Sequence, residues 1–373
     1  MRPPIRELEA RLIQAKSAAE CLGALLDLAD AHAAEFRNLE GLRKAREALN
    51  IARTHRDPVS IGRALAAATL CHYQRGDYLS AIATGLDAVD ACTEADPAGR
   101  SSALQSLALS LHCVKSTDLA QSTATQAVAD AKRAKDVLRE ASARSVLGAV
   151  LSDRGAHKQA RREFRGAAAA YRRAGDTHRM LKATSNIGHA YRHHAEALAT
   201  AGQNAIAKFQ WKQARRIYDI VLGLAPPPAD HAIALGAIAE CECRIGNLDA
   251  AQAAIDAALA LGVDTPAIKA PCHLWHARIL IALGDLKGAE RAAEEACIAA
   301  QKLEHGDVLA SCLQLLSTLN DKQGRFETAQ DLERRAQEVT LEREAALAAI
   351  RTQLAAVWEL DALPRGRGQA RAA

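Results

Sequence analysis

Two histidines have a spacing that suits metal binding. His189 and His193 lie four residues apart, so one face of a helix would present both imidazoles, a geometry that zinc can use. His194 follows directly, but no third ligand stands at a suitable spacing, and the His-Glu-x-x-His arrangement of zinc enzymes is absent. We therefore expect ordinary polar side chains at these positions, and no metal or other cofactor.

A second group of candidate ligands consists of Cys241 and Cys243 in the segment CEC, and Cys272 and His276 in the segment CHLWH. Cys243 falls near the end of its predicted helix, whereas Cys272 falls near the start of the next corresponding helix. At a rise of 1.5 Å per residue the two levels differ by about 13 Å, which is too far for one zinc ion. The nine cysteines of the chain also lack the spacing of a disulfide framework, so we interpret them as reduced thiols that fill the core.

Positive charge is concentrated in one segment. The net charge of the chain is +4, but residues 154–194 carry ten Lys and Arg against only Glu163 and Asp176, a local charge of +8. Such a patch could bind nucleic acid. However, most of its arginines belong to one predicted helix on the outer side of its hairpin, so a solvated helix face is the favoured interpretation. We expect nucleic acid to be an unlikely partner.

Catalytic motifs are missing from the sequence. It contains no glycine-rich phosphate loop, no nucleophile elbow and no carboxylate pair that a fold would bring together. We therefore expect a protein that is not an enzyme and that works by binding.

The composition indicates helices throughout. Aromatic residues make up 3% of the chain, and runs of β-branched and aromatic residues that would form a sheet are absent. The amino-terminal segment lacks the apolar stretch of a secretion signal, and no later stretch of about 18 uncharged apolar residues could cross a membrane. We expect a cytoplasmic, all-α protein.

A repeat of about 36 to 40 residues organises these helices. Its marker is an alanine that recurs at spacings of 36, 39, 40, 54, 37, 38 and 40 residues, with a second small apolar residue seven positions later and a third small residue twelve positions earlier. The markers are Ala45, Ala81, Ala120, Ala160, Ala214, Ala251, Ala289 and Ala329. Turn signals such as QRGDY and ALGDL lie between the two small positions. Each unit is therefore predicted to be helix, tight turn, helix, with small residues where two backbones approach closely.

This pattern resembles the tetratricopeptide repeat (TPR) family over residues 33–336, in the longer variant found in bacterial regulators. The resemblance implies a right-handed α-solenoid of about eight TPR-like hairpins with a concave inner surface. We expect this superhelix over residues 17–340. A more limited resemblance links the chain to TPR modules that precede bacterial diguanylate cyclase domains, because ELDALPRGRG supplies Asp361 and Leu363 of the short motif that opens the cyclase domain.

In TPR proteins the first helix of each hairpin lines the groove, and that resemblance selects a polar set of candidate residues here. Asn186 stands out, because a side-chain amide can both donate to and accept from the backbone of an extended peptide, and related bacterial repeat proteins often use an asparagine at this position. The carboxylate clamp of chaperone-binding members is not reproduced. The candidate peptide- or partner-binding residues are Lys182, Ser185, Asn186, His189, Arg192, His193, Glu240 and Arg244.

One hairpin, expected over residues 180–224, is elongated. Fourteen extra residues separate Gly188 from Ala214. If seven are added to each helix, the register of the hairpin survives and its turn lies about 10 Å beyond those of its neighbours. We expect Leu198, Ile206 and Phe209 to form a seam along this extension. A functional lip and a neutral insertion both remain open.

The carboxyl end is predicted to be one helix of about 35 residues. Residues 341–363 would extend the last repeat helix, and the basic tail 364–373 would be disordered. The apolar stripe Ala336, Val339, Ala346, Ile350, Leu354 and Val357 could cap the last hairpin or pair two chains.

Together these features favour an adaptor or sensor in bacterial signalling that binds a protein or an extended peptide. The alternatives are a nucleic-acid-associated regulator that uses residues 154–194, and a structural dimer built on the carboxyl-terminal helix.

Overall fold

A computed structural model describes residues 3–35, 37–92, 96–303 and 307–360, with side chains up to Ala355. Within these ranges the secondary structure consists of helices, and they have the following bounds: α1 (Ile5–Gln14), α2 (Ala18–Ala34), α3 (Asn38–Thr54), α4 (Pro58–Gln74), α5 (Tyr78–Ala91), α6 (Pro97–Cys113), α7 (Thr117–Arg133), α8 (Val137–Asp153), α9 (His157–Arg173), α10 (Thr177–Thr200), α11 (Asn204–Gly223), α12 (Pro228–Ile245), α13 (Leu248–Ala260), α14 (Pro266–Leu283), α15 (Leu286–Ala300), α16 (Asp307–Lys322) and α17 (Phe326–Leu360). The predicted tail 364–373 and the residues Asp361 and Leu363 lie outside the described part.

Local sequence signals set the helix ends. The carboxylates of Asp77, Asp176 and Asp285 accept hydrogen bonds from the backbone N–H groups at the starts of α5, α10 and α15, which satisfies one of the orphan donors of each helix. At the carboxyl end of α12, Gly246 takes a positive φ of 103°, a conformation that glycine adopts at little cost. Helix and turn are therefore encoded within each repeat.

The chain forms two compact units, Met1–Val146 with Ala345–Ala373 and Leu147–Glu344. In the first unit α2 packs against α4, and α4 against α6. In the second unit α12 packs against α14, and α14 against α16. In these pairs the first helices of successive hairpins contact one another, as the predicted all-α repeat architecture requires.

The predicted repeat spacing is confirmed by burial. Each of the eight marker alanines is at most 6% exposed, and the residues seven positions later are at most 3% exposed. Six of the eight marker alanines are fully buried, and so are six of the eight residues seven positions later. The small residues that define the repeat are therefore the residues at which helices meet.

Where the two helices of a hairpin approach most closely, a glycine on one helix faces a larger side chain on the other. In the hairpins with Gly148 and Gly188 on the first helix, the ring of Phe164 or Tyr218 packs on the glycine, at 2.7 Å and 2.8 Å from where a Cβ would stand. The reverse holds in the first unit, where Thr69 faces Gly85. A small residue on one helix thus allows a larger residue on the other, since core volume is conserved.

The elongated hairpin is formed by α10 and α11. α10 continues twelve residues beyond Gly188, and α11 begins ten residues before Ala214. In contrast, α12 continues six residues beyond Ala239 and α13 begins three residues before Ala251. The inserted residues are therefore shared between the two helices.

The predicted seam of this hairpin is wrong in two of its three members. Ile206 and Phe209 are 50% and 55% exposed, and only Leu198 packs against the core. Ala207 and Trp211 occupy the seam instead, each 2% exposed. The spacing of apolar residues along α11 allows either side of the helix to face the core, and in the structure the side with Trp211 does so.

The last helix, α17, runs as one element of 35 residues. Within the second unit Ala336 is fully buried and Arg343 forms an ion pair with Asp307. Within the first unit Leu354 is 5% exposed and the Arg351 guanidinium donates to the carbonyl oxygen of Val114 at 3.4 Å. The side chain of Val357 lies outside the described part. Pairing of two chains through this helix stays a prediction.

Candidate functional site

The helix α10 presents one polar face. Its core side consists of apolar and small residues, among them Leu181, Ile187 and Gly188. The opposite positions follow the spacing of neighbours on one helix face. They carry Lys182, Ser185, Asn186, His189, Arg192 and His193, which we call the α10 polar face.

Asn186 lies at the centre of the α10 polar face. Its side chain is half-buried, and so is that of Ser185, whereas Lys182 is exposed. Within the described part of the chain, the amide of Asn186 makes no hydrogen bond to another protein group. A donor and an acceptor are therefore held on an ordered helix and left available to a ligand.

The rings of two histidines on the same face lie close together, tilted by 47°. The ring centroids of His189 and His193 are 4.2 Å apart, and Nδ1 of His193 lies 3.9 Å from the Asp153 carboxylate. The ring of His189 is open to water but recessed among protein atoms, and this partial desolvation, together with the Arg192 charge, lowers its pKa. His189 is therefore neutral at pH 7 and offers one donor and one acceptor. Among the residues described, no group of three or more His, Cys, Asp or Glu could hold a metal ion.

Arg192 and Glu240 form an internal ion pair. The guanidinium binds the carboxylate directly, and the two side chains are 22% and 5% exposed. Burial alone would lower the pKa of Arg192, but the Glu240 carboxylate outweighs that effect and the pKa is raised. Burial also raises the pKa of Glu240, with Arg192 opposing. Both were predicted to contact a ligand, but each already has its charge partner inside the protein.

The hydroxyl of Tyr218 lies close to the same guanidinium. Burial raises the pKa of Tyr218 to about 12, in spite of Arg192. Because this tyrosine also packs on Gly188, the ion pair and the close approach of α10 and α11 share one side chain. The pair therefore fixes how α10 sits against α12.

Arg244 lies between two tryptophans. Its guanidinium is 5.8 Å from the ring centroid of Trp211 and 5.3 Å from that of Trp275, distances at which a cation is attracted to the ring face. A carboxylate oxygen of Glu196 lies 3.7 Å away. Arg278 stacks on the same Trp275 ring at 4.6 Å. The predicted residue Arg244 is thus part of a larger cluster on α12 and α14.

Trp275 and Arg278 were missed in the sequence. A signal for them existed, because Trp275 lies two residues before Ala277 and Arg278 one residue after it, just as Asn186 and His189 flank Gly188. The same positions relative to the small residue of the first helix therefore select candidate residues on α10 and these two on α14. The spacing of Cys272 and His276 in CHLWH instead drew attention to metal binding.

One cysteine of each candidate segment, Cys241 and Cys272, is a core residue. Cys241 and Cys272 are fully or almost fully buried, and burial raises their pKa to about 12 and about 11. The Cys272 sulfur lies 3.2 Å from where a Cβ on Gly236 would stand. These thiols are protonated at neutral pH and fill space between helices, so they are poor nucleophiles and ligands.

The basic segment is partly internal. Arg161 is 9% exposed and stacks over the ring of Tyr191 at 4.3 Å, and Arg165 donates to the Tyr191 hydroxyl at 2.9 Å. These two arginines hold α9 against α10. Fewer charges of this segment are therefore free to bind phosphates than the sequence count indicates.

No protein-family model and no curated protein sequence matches the chain. Solved structures do match it. The apo form of the quorum sensor NprR from B. thuringiensis has a TM-score of 0.57 at 13% identity, covering 87% of this chain and 100% of that chain. NprR in complex with its cognate peptide NprX has a TM-score of 0.54 at 16% identity, covering 91% and 94%.

A tetratricopeptide repeat protein from Parabacteroides merdae has a TM-score of 0.52 at 12% identity, covering 78% of this chain and 98% of that chain. At these identities the likeness establishes the fold, which is that of TPR-like helical repeats. In the part of the chain that the structure describes, every helix is too short or too polar to cross a membrane.

Proposed function

We propose that this TPR-like chain is a non-enzymatic adaptor or sensor that binds an extended peptide, or a peptide-like segment of a partner protein, on the α10 polar face. The observation that carries the proposal is the half-buried Asn186 amide, which has no hydrogen-bond partner in the described protein. An extended peptide backbone offers alternating donors and acceptors that such an amide can satisfy together.

The surroundings support this assignment. Neutral His189 and the Ser185 hydroxyl flank Asn186 on the same helix face, and both can donate and accept hydrogen bonds. The Arg192–Glu240 pair holds α10 against α12, so the face is rigid before a ligand arrives. A pre-formed face loses less entropy on binding than a mobile one.

The structural neighbours agree with a binding function. NprR has been solved with its cognate peptide, and that protein has the fold of this chain. We infer by analogy a role in bacterial signalling, with a short peptide or protein segment as the signal.

The test begins with a selection of random decapeptides on the full chain, followed by titration of the best peptide against variants by isothermal calorimetry. Asn186→Ala should weaken binding about tenfold, since an unpaired peptide hydrogen bond costs about 1–3 kcal/mol. Asn50→Ala is the matched control, because Asn50 is an exposed helical asparagine in the other unit. Equal affinities for the wild type and Asn186→Ala would reject this face.

A nucleic-acid-associated regulator is the alternative, and the same preparations decide it. Binding of a 20-base-pair DNA duplex or a single-stranded RNA should be absent or nonspecific at 150 mM salt. Tight binding that weakens steeply with salt would instead support phosphate contacts from the basic segment.

A further inference from the structure

The cluster around Trp275 has an excess of positive charge. Three arginines, Arg192, Arg244 and Arg278, lie near two carboxylates, those of Glu196 and Glu240. The Glu240 carboxylate already forms a buried ion pair with Arg192. Glu196 is 60% exposed and is 3.7 Å from Arg244, a distance and exposure at which an ion pair contributes little.

Arg278 is the arginine of this cluster that lacks an ion-pair partner among the described residues. It is half-buried on α14 and stacks on Trp275. Over the described ranges, its guanidinium forms neither an ion pair nor a hydrogen bond. Burial lowers the pKa of Arg278, and the Arg244 charge lowers it further. The more distant carboxylates of Glu240 and Glu196 only partly oppose these effects. A guanidinium carries its charge even so, so this position holds a cation with no directly paired carboxylate among the described residues.

The geometry suits one class of ligand. A guanidinium is planar and pairs with a carboxylate through two parallel hydrogen bonds. The indole of Trp275 orients Arg278 and Arg244, because both guanidinium groups lie within 5.3 Å of its ring centroid. The Arg244 charge repels that of Arg278, and an anion that paired with either guanidinium would offset this repulsion.

We infer that Arg278 and Arg244, oriented by Trp275, form a subsite for a carboxylate of the bound peptide. This subsite rests on the proposed function, since the carboxylate is carried by the peptide that lies on the α10 polar face. Arg192 and Glu240 join α10 to α12, and Arg244 and Trp275 join α12 to α14, so one extended ligand can contact both regions. The carboxylate is that of an acidic side chain or of the peptide's carboxyl terminus.

The test uses fluorescein-labelled decapeptide libraries in which one position is fixed as Asp, Glu, Asn or Gln, each made with a free and with an amidated carboxyl terminus. Binding to the full chain is measured by fluorescence anisotropy. We expect one of two preferences, each at least tenfold. Either the libraries with Asp or Glu bind more tightly than those with Asn or Gln, or the libraries with a free carboxyl terminus bind more tightly than those with an amidated one. The first result assigns a side-chain carboxylate and the second a terminal one.

Arg278→Gln should abolish that preference. The matched control is Arg291→Gln, since Arg291 is an exposed arginine on α15 without an ion pair in the described structure. The circular dichroism spectra of both variants should equal that of the wild type, because neither substitution breaks an ion pair of the described structure.

The outcomes separate the two proposals. Peptide binding that depends on Asn186 but shows no carboxylate preference would overturn the subsite and leave the proposed function standing. A carboxylate preference that survives Arg278→Gln would overturn the subsite as well. If the preference requires Arg278 but Asn186→Ala has no effect, the peptide carboxylate binds Arg278 while the rest of the peptide lies elsewhere, so the α10 polar face is rejected and only the carboxylate contact is retained. Absence of binding by every library would overturn both.

Discussion

Replacing Gly148 by alanine tests the packing rule of the repeat. In an open helix position this substitution stabilises a protein by about 1 kcal/mol, because alanine has the higher helix propensity. At Gly148, however, the new Cβ would lie 2.7, 2.9 and 3.0 Å from three ring carbons of Phe164. Phe164 is 3% exposed, so its ring has little room to move.

The magnitude follows from these opposing effects. Overpacking of a close-packed core costs about 1–3 kcal/mol, which exceeds the gain in helix propensity. We expect Gly148→Ala to lower the free energy of unfolding by about 1 kcal/mol. The control is Gly23→Ala, since Gly23 lies within α2 and a Cβ there would meet nothing within 4 Å. It should raise the free energy of unfolding by about 1 kcal/mol.

A second substitution should relieve the clash. Gly148→Ala combined with Phe164→Ile reproduces the natural pair of Ala239 and Ile255, both fully buried at the same positions of a later hairpin. The double variant should therefore be more stable than the two single effects predict when added. Urea unfolding monitored by circular dichroism measures each free energy, with native-state hydrogen exchange to localise the effect, since repeat arrays can unfold in stages. If Gly148→Ala stabilises the protein as much as Gly23→Ala does, the close approach of these helices is refuted.

Glu240→Gln should destabilise the protein by about 3 kcal/mol in urea unfolding, because it leaves the Arg192 charge buried without its partner; the double variant Arg192→Met with Glu240→Met should lose less, and equal losses would contradict a buried pair. Burial, followed by the positive charges of neighbouring histidines, lowers the pKa of His157 to about 4, whereas an unfolded chain takes up this proton near pH 6.5. Acid therefore favours unfolding. The contribution of neutral His157 to the free energy of unfolding is fully present above pH 6.5 and is lost progressively down to about pH 4, by at most about 3 kcal/mol. His157→Asn should flatten that part of the pH profile, and an unchanged slope would show that His157 is not the responsible group. Asp285→Ala should lower the free energy of unfolding by about 1 kcal/mol, seen as a lower thermal midpoint, because the carboxylate accepts from the backbone N–H of Gly288 at 2.9 Å; no change would mean that the cap is not formed in solution.

Much of the fold follows from one-dimensional periodicity. Small residues at fixed spacing predicted which positions meet, and Ala81, Ala160 and Ala251 are fully buried as that pattern requires. The face of an elongated helix is less determined, because apolar residues at a spacing of three or four suit more than one contact surface. Phe209 was therefore assigned to the seam, whereas Trp211 occupies it.

The candidate site divides in the same way. The sequence by itself determined the repeat, the elongated hairpin and the residues that share the α10 polar face, because these depend on local spacing along one helix. Only the tertiary structure decided which charges are compensated. Arg192 meets Glu240, 48 residues away, while Arg278 stacks on Trp275 and forms no ion pair with the described carboxylates. Ion pairing depends on distances of a few ångströms between side chains of different helices, and residue spacing along the chain does not specify those distances.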